Sequence, residues 1–253
     1  MSHQFPVPVS GSAKFYAGIG SRQTPQSIQK VETDLARKLA EDGWILRSGH
    51  AVGSDRAFEA GASQVNQDLQ VFLPFTRNVD LKPWHILGPS LPSWPEALSV
   101  SAIYHPGWTN LKETDRVLHG RNAYQILGPT LQEPVAMVVC WTDGGDEEGG
   151  TAQALRIARA REIPIINLGT GAGMSLVQDY LNPIARKRDF QKGDRVRLIS
   201  APSFRYEVEG LEVIPASEDG KIPAEWYVKL TNGAGKSCWW KPSDLELTDQ
   251  TVS

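Results

Sequence analysis

Apolar residues in this chain fall in short unbroken runs, separated by stretches with a period of three to four. Residues 14–20 (KFYAGIG) make one such run and end in glycines, which predicts a strand running into a tight turn. Thr24-Pro25 then opens a helical pattern in which Ile28, Val31, Leu35 and Leu39 share one face. Pro25 suits the first turn of that helix, and Gly43 stops it. Trp44-Ile45-Leu46 starts a second strand that breaks at Ser48-Gly49. The same reading predicts a short helix over 55–62, a strand over 69–73, a helix over 111–127 and a buried strand over 133–140. A helix from Gly149 to Ala160, a strand over 163–168 and a last helix over 175–186 follow. Residues 75–95 are rich in proline and tryptophan, show no period, and read as a long connection of the kind that often carries function. Solid apolar strands alternating with helices predict an α/β fold, a Rossmann-like parallel sheet with helices on both faces. Its strand-to-helix turns then lie along one edge.

Beyond Arg188 the pattern changes. Residues 193–199 and 226–230 alternate polar and apolar positions, and Asn232-Gly233 reads as a turn. This predicts a small all-β, SH3-like barrel over 191–253, joined near residue 190 to a Rossmann-like domain over 14–188. Residues 1–13, with Pro6 and Pro8, read as a disordered lead-in.

Hydrophobic residues make up 40% of the chain and charged ones 22%, values of an ordinary soluble globular protein. No apolar run reaches membrane-spanning length and the start lacks the order of a signal peptide, so a cytoplasmic protein without membrane contact is expected. Cys140 closes an apolar run and Cys238 lies far from it, which excludes a disulfide scaffold or cysteine-rich metal site. The net charge of −3 excludes binding to duplex DNA by bulk charge alone, so any nucleic-acid contact needs a local, shaped site.

Four small-residue turns supply such a site. The first, Gly18-Ile19-Gly20-Ser21-Arg22, lets backbone approach a phosphate and adds a hydroxyl and a guanidinium. The second runs from Arg47 through Ser48, Gly49, His50 and Gly53 to Asp55, which suits a helix N-cap as well as a ribose contact. His50 has no second histidine at ligand spacing, and no metal site is expected. The third is His119-Gly120-Arg121-Asn122, an anion clamp or a cap at the start of an apolar helix. The fourth runs from Thr142 through Asp143-Gly144-Gly145 to Gly149-Gly150-Thr151, a phosphate cradle at a helix N-terminus. Asp143, Asp146, Glu147 and Glu148 make this last turn acidic, as a solvated loop or a divalent-ion ligand set.

Together these residues resemble the SLOG superfamily of Rossmann-like proteins, which includes the DprA/Smf (DNA-processing protein A) family and the LOG phosphoribohydrolases. The resemblance covers roughly residues 14–186 and is closest to DprA. Gly20-Ser21-Arg22 matches a Gly-Ser-Arg motif. Ser48, Gly49, His50, Ala51, Gly53 and Asp55 match Ser-Gly-Gly-Ala-x-Gly-x-Asp, with His50 in place of a glycine. Arg121-Asn122 and Gly149-Gly150-Thr151 match the remaining two turns. The resemblance implies a nucleic-acid-binding protein of DNA processing or recombination, with single-stranded DNA across the strand-end groove on Ser21, Arg22, Arg47 and Arg121. It also implies a homodimer. LOG hydrolases carry a glutamate just after the Gly-Thr turn, where this chain has Ala152, Gln153 and Ala154, so no catalytic residue is assigned and a non-catalytic binding protein is expected. The alternative is a binder or sensor of a small signalling nucleotide, and no cofactor beyond such a bound nucleotide is expected.

In the C-terminal segment, Phe204, Tyr206, Trp226, Tyr227, Trp239 and Trp240 interleave with basic residues. They read equally as the core of a small barrel and as a surface for nucleic acid or a protein partner.

Overall fold

The computed structural model describes residues 14–146 and 149–181 and five strand segments between 195 and 247. The chain divides into two compact units, Met1–Leu181 and Asn182–Ser253.

The first unit is a six-stranded sheet whose strands pair in parallel, in the order β4-β3-β2-β1-β5-β6. Its strands are β1 (Lys14–Gly20), β2 (Trp44–Ser48), β3 (Gln70–Leu73), β4 (His85–Leu87), β5 (Met137–Trp141) and β6 (Ile165–Asn167). Helices α1 (Gln26–Glu41), α2 (Ser54–Ala62) and α6 (Gly171–Leu181) cover one face; α3 (Trp94–Tyr104), α4 (Glu113–Leu127) and α5 (Gly149–Ala160) cover the other. Strand alternation explains the layers. Tyr16, Met137, Val139 and Trp141 pack with α1 and α2, while Ala17, Ile19, Val138 and Cys140 pack with α4 and α5. This is the expected α/β Rossmann-like sheet.

The helical stripe of α1 carries Leu35 and Leu39 into the core, with Ile28 and Val31 half-buried beside them. The same face also buries Glu32 completely, a polar intrusion that a count of apolar positions passes over. Residues 75–95 depart from the expected bare connection: they contain β4 and the start of α3, with Pro95 in its first turn. Three-residue β4 is too short to show a period, and α3 has no single apolar stripe, burying Ala97 while leaving Ile103 75% exposed.

The second unit is a five-stranded sheet built of antiparallel pairs, in the order β10-β9-β8-β7-β11, with β7 (Arg195–Leu198), β8 (Arg205–Ile214), β9 (Glu225–Thr231), β10 (Ser237–Trp240) and β11 (Leu245–Leu247). A register shift falls between Val208 and Gly210 of β8. Antiparallel strands were expected; closure into an SH3-like barrel is not among the pairings of the described residues. The lead-in 1–13, the helical extension over 182–186, Phe204 and the side chains of Tyr206, Trp226, Tyr227, Trp239 and Trp240 lie outside the described residues. Among the described residues no helix is long and apolar enough to cross a membrane.

Arg47 is a fully buried side chain of β2. Its Nε donates to Gln70 Oε1 at 2.8 Å, Nη1 donates to the Glu133 carbonyl, and the guanidinium lies 3.8 Å over the Phe15 ring. Burial lowers its pKa to about 10, with Glu133 partly offsetting the shift, so it stays cationic at neutral pH. Arg47→Ala leaves these acceptors unpaired around a cavity and is expected to cost about 3–5 kcal/mol in chemical denaturation.

Candidate functional site

A cleft of about 820 Å³ opens at the carboxyl ends of β1 and β5, adjacent strands from which the chain order runs outward in opposite directions. Parallel sheets bind ligands at this switch point because the two outgoing turns diverge there and leave backbone amides facing a crevice. The cleft is lined by ten of the sixteen residues expected from the sequence: Gly20, Ser21 and Arg22 from the first turn, Asp55 from α2, Arg121 and Asn122 from α4, and Thr142, Gly149, Gly150 and Thr151 beyond β5.

Arg121 and Asn122 sit two turns inside α4 rather than at its start, and both are buried. Arg121 Nη1 donates to Asp55 Oδ2 at 3.2 Å. Asp55 is the second residue of α2 and does not cap it; Gly53 occupies the cap position. Its other oxygen accepts from the Gly20 backbone N–H at 3.2 Å. Gln125, one turn along α4, completes the set when its amide oxygen accepts from Arg121 Nη1 (3.2 Å) and Gly49 N (3.0 Å). Burial raises the Asp55 carboxyl, and Arg121 pulls it back. Burial lowers Arg121, and Asp55 offsets only part of that shift. Each ion makes the other tolerable where water is excluded.

The six remaining expected residues lie outside the cleft lining. Arg47 stays in the core, held by Gln70, Glu133 and Phe15, because its strand position points it away from the strand ends. Ser48 is buried and donates to the Gly18 carbonyl at 2.7 Å. Gly18 accommodates Phe58 and Leu46, Gly53 accommodates Ser21, and a Cβ on Gly49 would fall 1.1 Å from Arg121 Nη1. The glycines of these two turns therefore make room for protein atoms.

His50 adopts a left-handed backbone (φ 60°) and faces away from the cleft. The fold brings it a second histidine: His50 Nδ1 lies 2.6 Å from Glu59 Oε2, and His85 Nε2 lies 2.9 Å from Glu59 Oε1. Trp84 Nε1 also donates to Glu59, at 2.9 Å. Burial pushes the Glu59 carboxyl up, but these donors, led by Trp84, outweigh it and set it below its ordinary value. The Lys82 N–H donates to His85 Nδ1, which puts the His85 proton on Nε2. The three ligand atoms spread over up to 4.8 Å. Two imidazoles and a carboxylate within that reach are a donor set that could hold a metal ion. The cluster is a hydrogen-bonded clasp around a carboxylate, and tethers the second turn to α2 and β4.

Sequence reasoning missed Gln125 and Asn167, and quoted His119 only as the lead into Arg121-Asn122. Gln125 was legible only as the residue four after Arg121 on the same helix face. His119 lines the cleft; burial and the His105 ring 4.3 Å away lower its pKa and keep it neutral. Asn167 at the end of β6 accepts from Thr142 N (3.2 Å) and Gly169 N (2.9 Å) and donates to Thr142 Oγ1 (2.7 Å), fixing the turn after β5.

A scan against protein-family models finds no match, and a search of curated proteins finds no significant relative. Solved structures similar to the chain include the Moco carrier protein of Chlamydomonas reinhardtii, with 18% identity over 68% of this chain and 86% of that one and a TM-score of 0.40. Another is DNA processing protein A of Helicobacter pylori, described with its single-stranded DNA binding mode. It is 16% identical over 69% of this chain and 81% of that one, with a TM-score of 0.41.

Replacing Asp55 by Asn strands Arg121 in the interior and is expected to destabilise the protein by about 3–5 kcal/mol. Adding Arg121→Met to that variant should recover part of the loss, as measured in a double-mutant cycle by urea unfolding.

Proposed function

We propose that the cleft binds a small phosphate-bearing ligand of the nucleotide class, with its phosphate at the N-terminus of α5. The observation that carries this reading is Gly150. A Cβ built there meets no described atom within 4 Å, and its backbone is not left-handed. Gly20 and Gly49, by contrast, are crowded by Ser54 and Arg121. Gly150 is thus small without a protein neighbour that requires it, and it faces the cleft at a helix end whose amides favour an anion. Asn122 Nδ2 donates to the Gly150 carbonyl at 3.1 Å and holds that end in place.

The cleft volume suits a mononucleotide. Ile19, Leu118 and Ala154 give it an apolar wall for a base. Its charges favour a small ligand over a long backbone. Arg121 is already paired with Asp55, Arg47 is in the core, and Asp143 and Asp146 stand exposed at the rim. Arg22, also exposed at the cleft, is the side chain that favours the second reading, single-stranded nucleic acid entering the same crevice as the sequence resemblance implies.

Thermal shifts against a panel of nucleoside mono- and diphosphates test the first reading. A true ligand at 100 times its dissociation constant adds about 2.7 kcal/mol of stability. Gly150→Ala should leave the unliganded protein as stable as before, or slightly more so, and abolish the shift. A flat panel sinks the small-ligand reading. Salt-steep binding of a single-stranded oligonucleotide, lost in Arg22→Ala, would establish the second in its place.

A further inference from the structure

A line of buried oxygens runs from α1 to the cleft, and the proposed ligand site does not yet use it. Glu32 Oε1 lies 2.6 Å from Ser54 Oγ, Ser54 Oγ lies 2.7 Å from Thr24 Oγ1, and Thr24 Oγ1 lies 2.7 Å from the Ser21 carbonyl. Glu32 is fully buried, Ser54 is fully buried and Thr24 is nearly so. Ser21 is the cleft end of the line. Its carbonyl also accepts from Ser54 N at 3.3 Å, and its own N–H donates to the Trp141 carbonyl at 3.1 Å. Glu32 Oε2 has no hydrogen-bond partner among the described residues.

The direction of the hydrogens along this line depends on one proton. With a proton on Glu32 Oε1, the acid donates to Ser54, Ser54 donates to Thr24, and Thr24 donates to the Ser21 carbonyl. Every hydroxyl then both accepts and donates, and the idle Oε2 is an uncharged carbonyl oxygen. Without that proton, Ser54 must turn its hydrogen to Glu32. Thr24 has one hydrogen for two acceptors, Ser54 Oγ and the Ser21 carbonyl, and Oε2 becomes an unpaired anionic oxygen shielded from bulk solvent.

We propose that Glu32 is a positioning residue for the cleft: in its neutral, protonated form it holds the Ser21 turn in ligand-ready geometry through Ser54 and Thr24. Burial raises its carboxyl to about 8, against the Ser54 hydrogen bond and with a further push from Asp55. The other titratable group coupled to it is Cys140 on β5, whose thiol burial raises to about 12 and which is therefore neutral. Arg121 compensates Asp55, leaving no described cation to hold Glu32 ionised. The native state keeps a proton that the unfolded chain releases. The group's contribution to stability is therefore full below about 4.5, declines as pH rises to about 8, and is flat above that.

The inference rests on the proposed ligand site only in its binding arm, so the two can fail separately. In ligand-free protein, NMR amide signals of residues 21–23, followed from roughly pH 6 to 10, should inflect near pH 8 in the wild type and not in Glu32→Gln, whose amide donates to Ser54 at every pH. A wild-type profile without the inflection, or one that persists in Glu32→Gln, overturns the relay. With adenosine monophosphate as the probe, wild-type affinity should fall about fivefold across the same inflection, the order of one hydrogen bond, and Glu32→Gln should stay level. Glu32→Ala should be weak on both sides of it. Nucleotide binding with a level wild-type profile also overturns the relay. Absence of all nucleotide binding removes the proposed ligand instead, and the ligand-free arm still decides the role of Glu32.

Discussion

The site depends on one buried carboxylate. Asp55 reaches back from α2 to the amide of Gly20 at the end of β1 and across to Arg121 on α4. It therefore joins elements from both faces of the sheet at the point where the cleft opens. An ion pair in this position is poor value as stabilisation, since both charges lose their water. What it supplies is placement: neither α2 nor α4 can slide without unpairing a charge. Gly49 is the matching constraint on the backbone, because any side chain there would occupy the space of the Arg121 guanidinium.

This arrangement changes the meaning of the arginines. Three were expected to face a phosphate, and they have three different fates. Arg22 is exposed at the cleft, Arg121 is neutralised within its wall, and Arg47 is sealed in the core over Phe15. A mildly acidic protein can still hold an anion here, because backbone amides at a helix end bring partial positive charge without a net cation. Such a site favours a compact phosphate over an extended chain of them.

The fold was legible where residues repeat. The apolar runs of β1, β5 and β6 and the stripe of α1 announced a parallel sheet, and the small-residue turns announced where its ligand edge lay. Local pattern could not separate a glycine that admits a ligand from one that admits a neighbouring side chain, since both leave the same trace in sequence. Gly49 and Gly150 look alike along the chain and differ only once Arg121 is placed. Long-range partners were equally hidden. His85 meets His50 across 35 positions of chain, and Gln125 joins Gly49 across 76. Short β4 and the stripe-free α3 were missed because neither offers a period to detect.

The central position of β1 has a consequence for how the molecule comes into being. β1 is near the start of the chain, while β5, its neighbour across the cleft, begins at Met137. On a ribosome, β1 to β4 can assemble early, but the crevice has no second wall until β5 has emerged as well. Joining strands so distant in sequence is slow relative to local hairpin or helix formation. The ligand pocket is thus a late product of folding, and a molecule captured there would report that the β1–β5 seam has closed.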